Sequence, residues 1–400
     1  MGKPGIVASV ASRPRNSDRP PRPGNPRRRR GTKPLASNPL DASSSADTSS
    51  SGRISRALDQ SIDAGWHCLD AGDVDGAKEI YTDLANTAET AKGATERLAE
   101  LWALGGAIAA AEGDAEAAVT AFGRATAADT DNARYFILSA DVELAIRDDP
   151  ETAIGLCDMA LDVASDEDDL IDAVLLKSEA LVSLGDRDDE AREVLAELEG
   201  CAIGDPLLLC VAGDLHWTLG DLDAARRAYR NAVELDPDWA DGHHGLGMVH
   251  QARGEQEKVA AAWLRTRELD MTASPEPWHL SLDEFEEVAA HALAELPDDA
   301  RKHLSNVPIF CTDAPSVEQV QSGLDPRLFG LFSGVPLPHK SHIVDGYQPH
   351  IDSIYLFQRN LERAAGSRER LLEEIRITVL HETAHFFGLE DADLESIGLG

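Results

Sequence analysis

Between residues 55 and 273 apolar positions recur every three or four residues, broken by polar turns such as AGD, EGD and LGD. That pattern predicts a run of short paired helices and no strands. The pairing has a period. Laying GDLHWTLGDLDAARRAYRNAVELDPDW over GMVHQARGEQEKVAAAWLRTRELDMTA superposes Gly213 on Gly247, Gly220 on Gly254, Tyr229 on Trp263 and Asp236 on Asp270, each 34 residues apart. Upstream, Ala118, Phe122 and Ala125 follow EGD, Ala153, Cys157 and Ala160 follow RDDP, Ala77 and Tyr81 follow AGD, and Ala191 and Leu195 follow LGDRDD. About six helix pairs are expected over 55–273.

Pro275 and Pro277 interrupt this pattern, and Ser281 stands where it can cap a following helix. Beyond it the periodicity becomes mixed. Phe285, Val288, Ala289, Ala292, Leu293 and Leu296 form one helical face, VPIFC is a short β-prone run, and IDSIYLFQRNL alternates as a largely buried strand. A long helix is expected from Ser367 to Phe387, with Leu371, Leu372, Ile375, Val379, Leu380 and Phe387 as its apolar positions. Gly388 stands where a helix ends in the left-handed conformation.

The small residues and aromatics at set positions resemble tetratricopeptide (TPR) repeats. Ala225, Tyr229 and Ala232 carry that pattern, and Pro237 matches its closing proline. One such helix pair cannot bury its own apolar stripe, so neighbouring pairs stack into a superhelix. The resemblance implies that the concave face binds protein segments. The expected organisation is a disordered basic tail over 1–52, repeats over 53–273, a linker over 274–280 and a mixed α/β domain over 281–400.

Charge divides the chain sharply. The formal net charge is −35, yet residues 1–52 hold ten Lys/Arg against three Asp, a net of +7, so the remainder carries −42. An acidic body of that size repels nucleic acid and anionic membranes. The Arg27–Arg30 run could touch nucleic acid or the chain's own acidic body. The five cysteines, Cys68, Cys157, Cys201, Cys210 and Cys311, are odd in number and scattered, which excludes a disulfide framework and fits a reducing compartment. No apolar run approaches bilayer length, and GIVASVA near the start is too short for a signal peptide, so a cytoplasmic location is expected.

The chemistry sits at the end, in HETAHFFGLEDADLESIGLG. His381 and His385 lie four residues apart, on one face of the expected helix, where both imidazoles can reach a single zinc ion. Glu382 is rotated by roughly 100° and suits the metal-bound water rather than the metal. A hydrolytic zinc takes three protein ligands and keeps one open position. Gly388 lets the chain turn back, making Asp391 the expected third ligand, with Asp393, Glu395 or a loop histidine (His339, His342 or His350) as alternatives. Tyr347 and Tyr355 are candidates for stabilising an oxyanion. His243 and His244, inside a repeat, read as packing or surface residues.

From SLDEFEEVAAHALAELPDDA through GLFSGVPL and DSIYLFQRNLERA to EEIRITVLHETAHFFGLEDADLESIG, the C-terminal 120 residues resemble the bacterial minimal zincin-like metallopeptidases. The resemblance implies a compact α+β zinc protease, here joined to a long repeat array and lacking any methionine after Asp391. The expected activity is peptide hydrolysis by a zinc-activated water, with Glu382 as general base and the repeats recruiting a protein substrate or partner. The competing reading is an interaction scaffold whose terminal domain binds metal without cleaving peptides.

Overall fold

The computed structural model describes residues 50–88, 95–337, 352–390 and 393–394; residues 1–49 of the expected tail lie outside them. The described chain divides into two compact units, one ending at Pro237 and one beginning at Asp238.

The first unit is helical throughout its described residues. Its five pairs are α1 (Ser50–Asp70) with α2 (Val74–Ala88), α3 (Thr95–Ala111) with α4 (Ala115–Ala128), α5 (Ala133–Ala145) with α6 (Pro150–Val163), α7 (Glu167–Leu184) with α8 (Asp188–Ala196), and α9 (Pro206–Thr218) with α10 (Leu222–Leu235). The repeated small and aromatic positions form the seam of each pair: Ala118, Phe122 and Ala125, Ala153, Cys157 and Ala160, and Ala225, Tyr229 and Ala232 are all buried. The acidic turns have a structural task. Asp114, Asp149 and Asp221 accept backbone N–H bonds at the starts of α4, α6 and α10, satisfying donors that a helix N-terminus leaves open. Where the other turns place glycine, RDDP places Asp148, with φ of 53°, a conformation that aspartate tolerates better than most residues.

The acidity has a cost at the start of α7. Burial pushes the Asp169 carboxyl up to about 6, Asp166 adds to the shift, Arg134 opposes it, and Asp172 and Asp168 raise it further. Because the folded value lies above the usual carboxylate range, the penalty is absent below about pH 4 and grows as pH rises through about 6. Asp169→Asn keeps the backbone N–H that Asp166 caps at 2.8 Å. It is expected to stabilise the protein by about 1 kcal/mol at pH 7.5, allowing for solvent screening. Thermal melting at pH 7.5 and pH 4 checks this; the gain should vanish at the lower pH.

The second unit starts with a sixth helix pair, α11 (Ala240–Ala252) and α12 (Gln256–Thr272). A Cβ on Gly247 would collide with the Trp263 ring, so only glycine permits this approach. Then come α13 (Leu282–Ala294), α14 (Asp298–Leu304), β1 (Ile309–Thr312), α15 (Val317–Gln321), β2 (Gly330–Ser333), β3 (Ser353–Phe357), α16 (Gln358–Ala365) and α17 (Arg368–Phe386). Ser281 opens α13 with a reciprocal capping box to Glu284. The compact unit begins at Asp238, so it takes in the helix pair α11–α12. Residues 273–280 are bound along α16: Arg359 donates to the Ala273 carbonyl at 2.6 Å, Trp278 to the Glu362 carbonyl at 2.7 Å, and Gln358 to the Leu280 carbonyl at 2.7 Å.

The sheet has the order β1-β3-β2, with β1 parallel and β2 antiparallel to the central β3. Phe332, Ile354 and Leu356 pack with Phe285, Ile375, Val379 and Phe386 in one core, while Leu331 and Phe357 pack with Leu324 and Leu328 in another. The strand expected over 351–361 is shorter than its alternation implied. It stops at Phe357, and the buried positions Gln358, Leu361, Glu362 and Ala365 then follow helical spacing. β2 gave no strand signal, because Gly330 and Ser333 are poor strand formers.

Candidate metal centre

Helix α17 begins at the Ser367 cap and carries a buried stripe through Leu371, Ile375, Val379, Glu382 and Phe386. The carboxylate is thus placed on the core-facing side of the helix, and Glu382 is fully buried. Strand β2 makes room for it. A Cβ on Gly330 would stand 2.7 Å from Glu382 Cγ, 2.8 Å from its Oε1 and 2.8 Å from Thr378 Cγ2. Gly330 is therefore the wall against which Glu382 rests, a role that sequence reasoning missed. Its only sequence signal was a glycine leading a short apolar run.

One helical turn separates His381 from His385, and both are buried. Their Nε2 atoms face each other at 2.9 Å, with ring centroids 4.6 Å apart and planes at 77°. His385 Nδ1 lies 2.9 Å from the Leu389 carbonyl, which can only accept, so the proton sits on Nδ1. In the neutral form of that ring the Nε2 lone pair faces His381. A metal-binding histidine is fixed by the same kind of bond from its other nitrogen.

That bond depends on how the helix ends. Gly388 has φ of 87°, its N–H bonds the His385 carbonyl at 3.0 Å, and the Leu389 N–H bonds the Ala384 carbonyl at 3.1 Å. This paired arrangement reverses the chain directly after the second histidine and delivers the Leu389 carbonyl to its ring. Leu394 then returns to the interior, fully buried.

The donor set fits a zinc ion. Two nitrogens on one tetrahedral zinc stand roughly 3.3 Å apart at ordinary Zn–N lengths, and the observed 2.9 Å is within a small side-chain rotation of that. Among the described residues no third His, Cys, Asp or Glu joins them in a metal-binding group. Asp391, Glu395, His339, His342, His350 and Tyr347 lie outside the described residues. Asp393 is exposed, and its Oδ2 accepts the Glu390 N–H at 3.1 Å. Tyr355, on β3, stacks on Phe310 with centroids 5.3 Å apart. His244 is buried against Trp263, in keeping with a packing residue, while its Nε2 reaches Asp325 at 2.9 Å. All five cysteines are free, and no described helix is long and apolar enough to cross a membrane.

Comparison with known proteins finds two matching segments. A family model for zincin-like metallopeptidases matches residues 304–400, and a TPR model matches residues 213–254. No curated protein matches the chain. Among solved structures, pilF of Pseudomonas aeruginosa is 16% identical over 60% of this chain and 99% of its own, with a TM-score of 0.45. PilW, a type IV pilus biogenesis factor, is 13% identical over 55% and 96%, also at 0.45. YrrB, a TPR protein with an unusual peptide-binding site, is 16% identical over 47% and 92%, at 0.36. The chain therefore carries a zincin-like domain at its C-terminal end, preceded by repeats of the TPR type.

Proposed function

We propose that this protein is a zinc-dependent peptidase whose repeats bring a protein substrate or partner to the C-terminal unit in the cytoplasm. The observation that carries the reading is the pair of buried imidazoles with Nε2 atoms 2.9 Å apart, beside a buried carboxylate one residue along the same helix. His381, His385 and Asp391 would hold the ion and Glu382 would act as general base. A bound zinc supplies a Lewis acid, lowering the pKa of water towards about 7 and polarising the scissile carbonyl.

The chain's own residues do the rest. Glu382, backed by Gly330 and Thr378, accepts a proton from the attacking water and passes it to the departing amine. The Leu389 carbonyl keeps the His385 proton on Nδ1, so that ring presents a lone pair rather than a proton to the ion. Asp391 follows His385 by six residues in the chain, after the glycine at 388.

The test is metal analysis of the purified full chain combined with cleavage of an unbiased peptide library. About one zinc per chain is expected, with cleavage that a chelator abolishes and added zinc restores. Stoichiometric zinc with no cleavage of any library member would overturn the peptidase reading in favour of a metal-stabilised scaffold.

A further inference from the structure

We propose that the last helix pair of the repeat series, α11 and α12, is a working part of the catalytic unit: it positions the strand that backs Glu382, through ion pairs centred on Arg327. The inference rests on the reading of Glu382 as general base.

The segment Asp325-Pro326-Arg327-Leu328 enters β2 two residues before Gly330, and it is anchored from two sides. From the repeat pair, Asp270 takes a two-pronged contact from Arg327, Nε to Oδ2 at 2.9 Å and Nη2 to Oδ1 at 3.0 Å, and Asp241 takes Nη1 at 2.7 Å. The planar guanidinium fork fixes direction as well as distance. His244 of α11 holds Asp325 at 2.9 and 3.0 Å, and Asp325 in turn accepts the Arg327 N–H at 2.8 Å. From the catalytic side, Asn360 of α16 donates to the Pro326 and Leu328 carbonyls at 2.8 and 2.7 Å. Arg363 of α16 shares Asp270 at 2.7 Å.

These charges are withdrawn from water. The Arg327 and Asp270 side chains are 18% and 13% exposed. Burial alone would lower Arg327, but Asp241 and Asp270 raise it instead, so it stays charged. Arg363 is brought down to about 10 by burial and by Arg327, despite Asp270. The two arginines therefore need the aspartates of the repeat pair as counter-ions. Around them, Val320 packs with Val259 and Trp263, and Arg267 donates to the Pro315 carbonyl at 2.6 Å. Asp270 is the residue that aligns with Asp236 one repeat earlier. At the end of the series that repeat position holds the catalytic unit's arginines.

Removing the Asp270 charge should therefore loosen residues 325–328 and shift Gly330 against Glu382, while leaving His381, His385 and the turn at Gly388 in place. Arg327 and Asp270 are positioning residues; neither lies against the reacting groups. The test uses the full chain carrying Asp270→Asn, with Glu268→Gln on the same helix as control, since the exposed Glu268 pairs with Arg265 at 2.7 Å rather than with Arg327. On a peptide taken from the library, kcat should fall roughly 10- to 100-fold, the range expected for a misplacement of about 1 Å or less. KM is read alongside, because a displaced general base should show mainly in kcat.

Zinc per chain should be unchanged, and hydrogen exchange should quicken over 324–333. The control should match wild type throughout. An unchanged kcat overturns the proposal, as does a loss that only tracks lost zinc or lost fold. If Asp270→Asn does not fold, Asp241→Asn takes the same readouts, since Asp241 is half exposed. If the wild-type protein cleaves nothing, the peptidase reading fails separately. Exchange over 329–333 then decides: acceleration in Asp270→Asn supports the positioning role, and no change overturns it.

Discussion

Glu382→Gln should retain zinc and fold but lose peptide cleavage, with kcat lowered by roughly 10²- to 10⁴-fold, the contribution typical of a positioned general base. Glutamine has the shape of glutamate, so it fits the space beside Gly330 and Thr378, where a Cβ on residue 330 would already collide with the 382 side chain. What it lacks is the ability to accept a proton. Because residue 382 is fully buried, exchanging its carboxyl for a neutral amide of equal volume should leave the melting temperature unchanged or raise it. Zinc content, melting and cleavage measured on one preparation separate these effects. A variant that cleaves at the wild-type rate would show that the base lies elsewhere.

His385→Ala should lower zinc affinity by more than about 100-fold, beyond the loss usual for residues that only support a ligand, and cleavage should disappear with it. The substitution also removes the ring that bonds the Leu389 carbonyl at 2.9 Å, so a structural effect must be told apart from a metal effect. Zinc raises the melting temperature of whatever binds it in the folded state. Wild type should therefore melt well above His385→Ala with zinc present, and close to it after chelation. Asp391→Ala, run beside it, should also lose zinc. Asp393→Ala should lose the turn contact to the Glu390 N–H and keep the metal. Zinc retained in Asp391→Ala but lost in Asp393→Ala would exchange their roles.

Much of the helical architecture was legible because its signals are local. A small or aromatic residue at the seam and an acidic residue at the turn are decided within one helix pair, and the 34-residue spacing relates the last two pairs to each other. The expected pairs appear as α1 to α12, and Asp114 and Asp221 cap the helices that their turns introduce. The long terminal helix was equally clear, from the Ser367 cap to Gly388 with its positive φ. The sheet was harder to read. In IDSIYLFQRNL the residues after Phe357 are the polar Gln358, Arg359 and Asn360, yet the backbone turns helical there and buries Gln358 and Asn360. Gly330 and Ser333 have little strand propensity of their own, and β2 gains its place from pairing with β3.

The sequence by itself determined the repeat series, the helix that brings His381 and His385 to one face, and the glycine that reverses the chain after them. Each follows from spacing and backbone preference over a few residues. Only the tertiary structure decided that Gly330 lies against Glu382, and that Arg327 is held by Asp241 and Asp270 from 86 and 57 residues away. Nothing in the local pattern marks such partners. A buried charge is satisfied by whichever opposite charge the packed elements bring within reach, and a close approach is allowed wherever a side chain is absent.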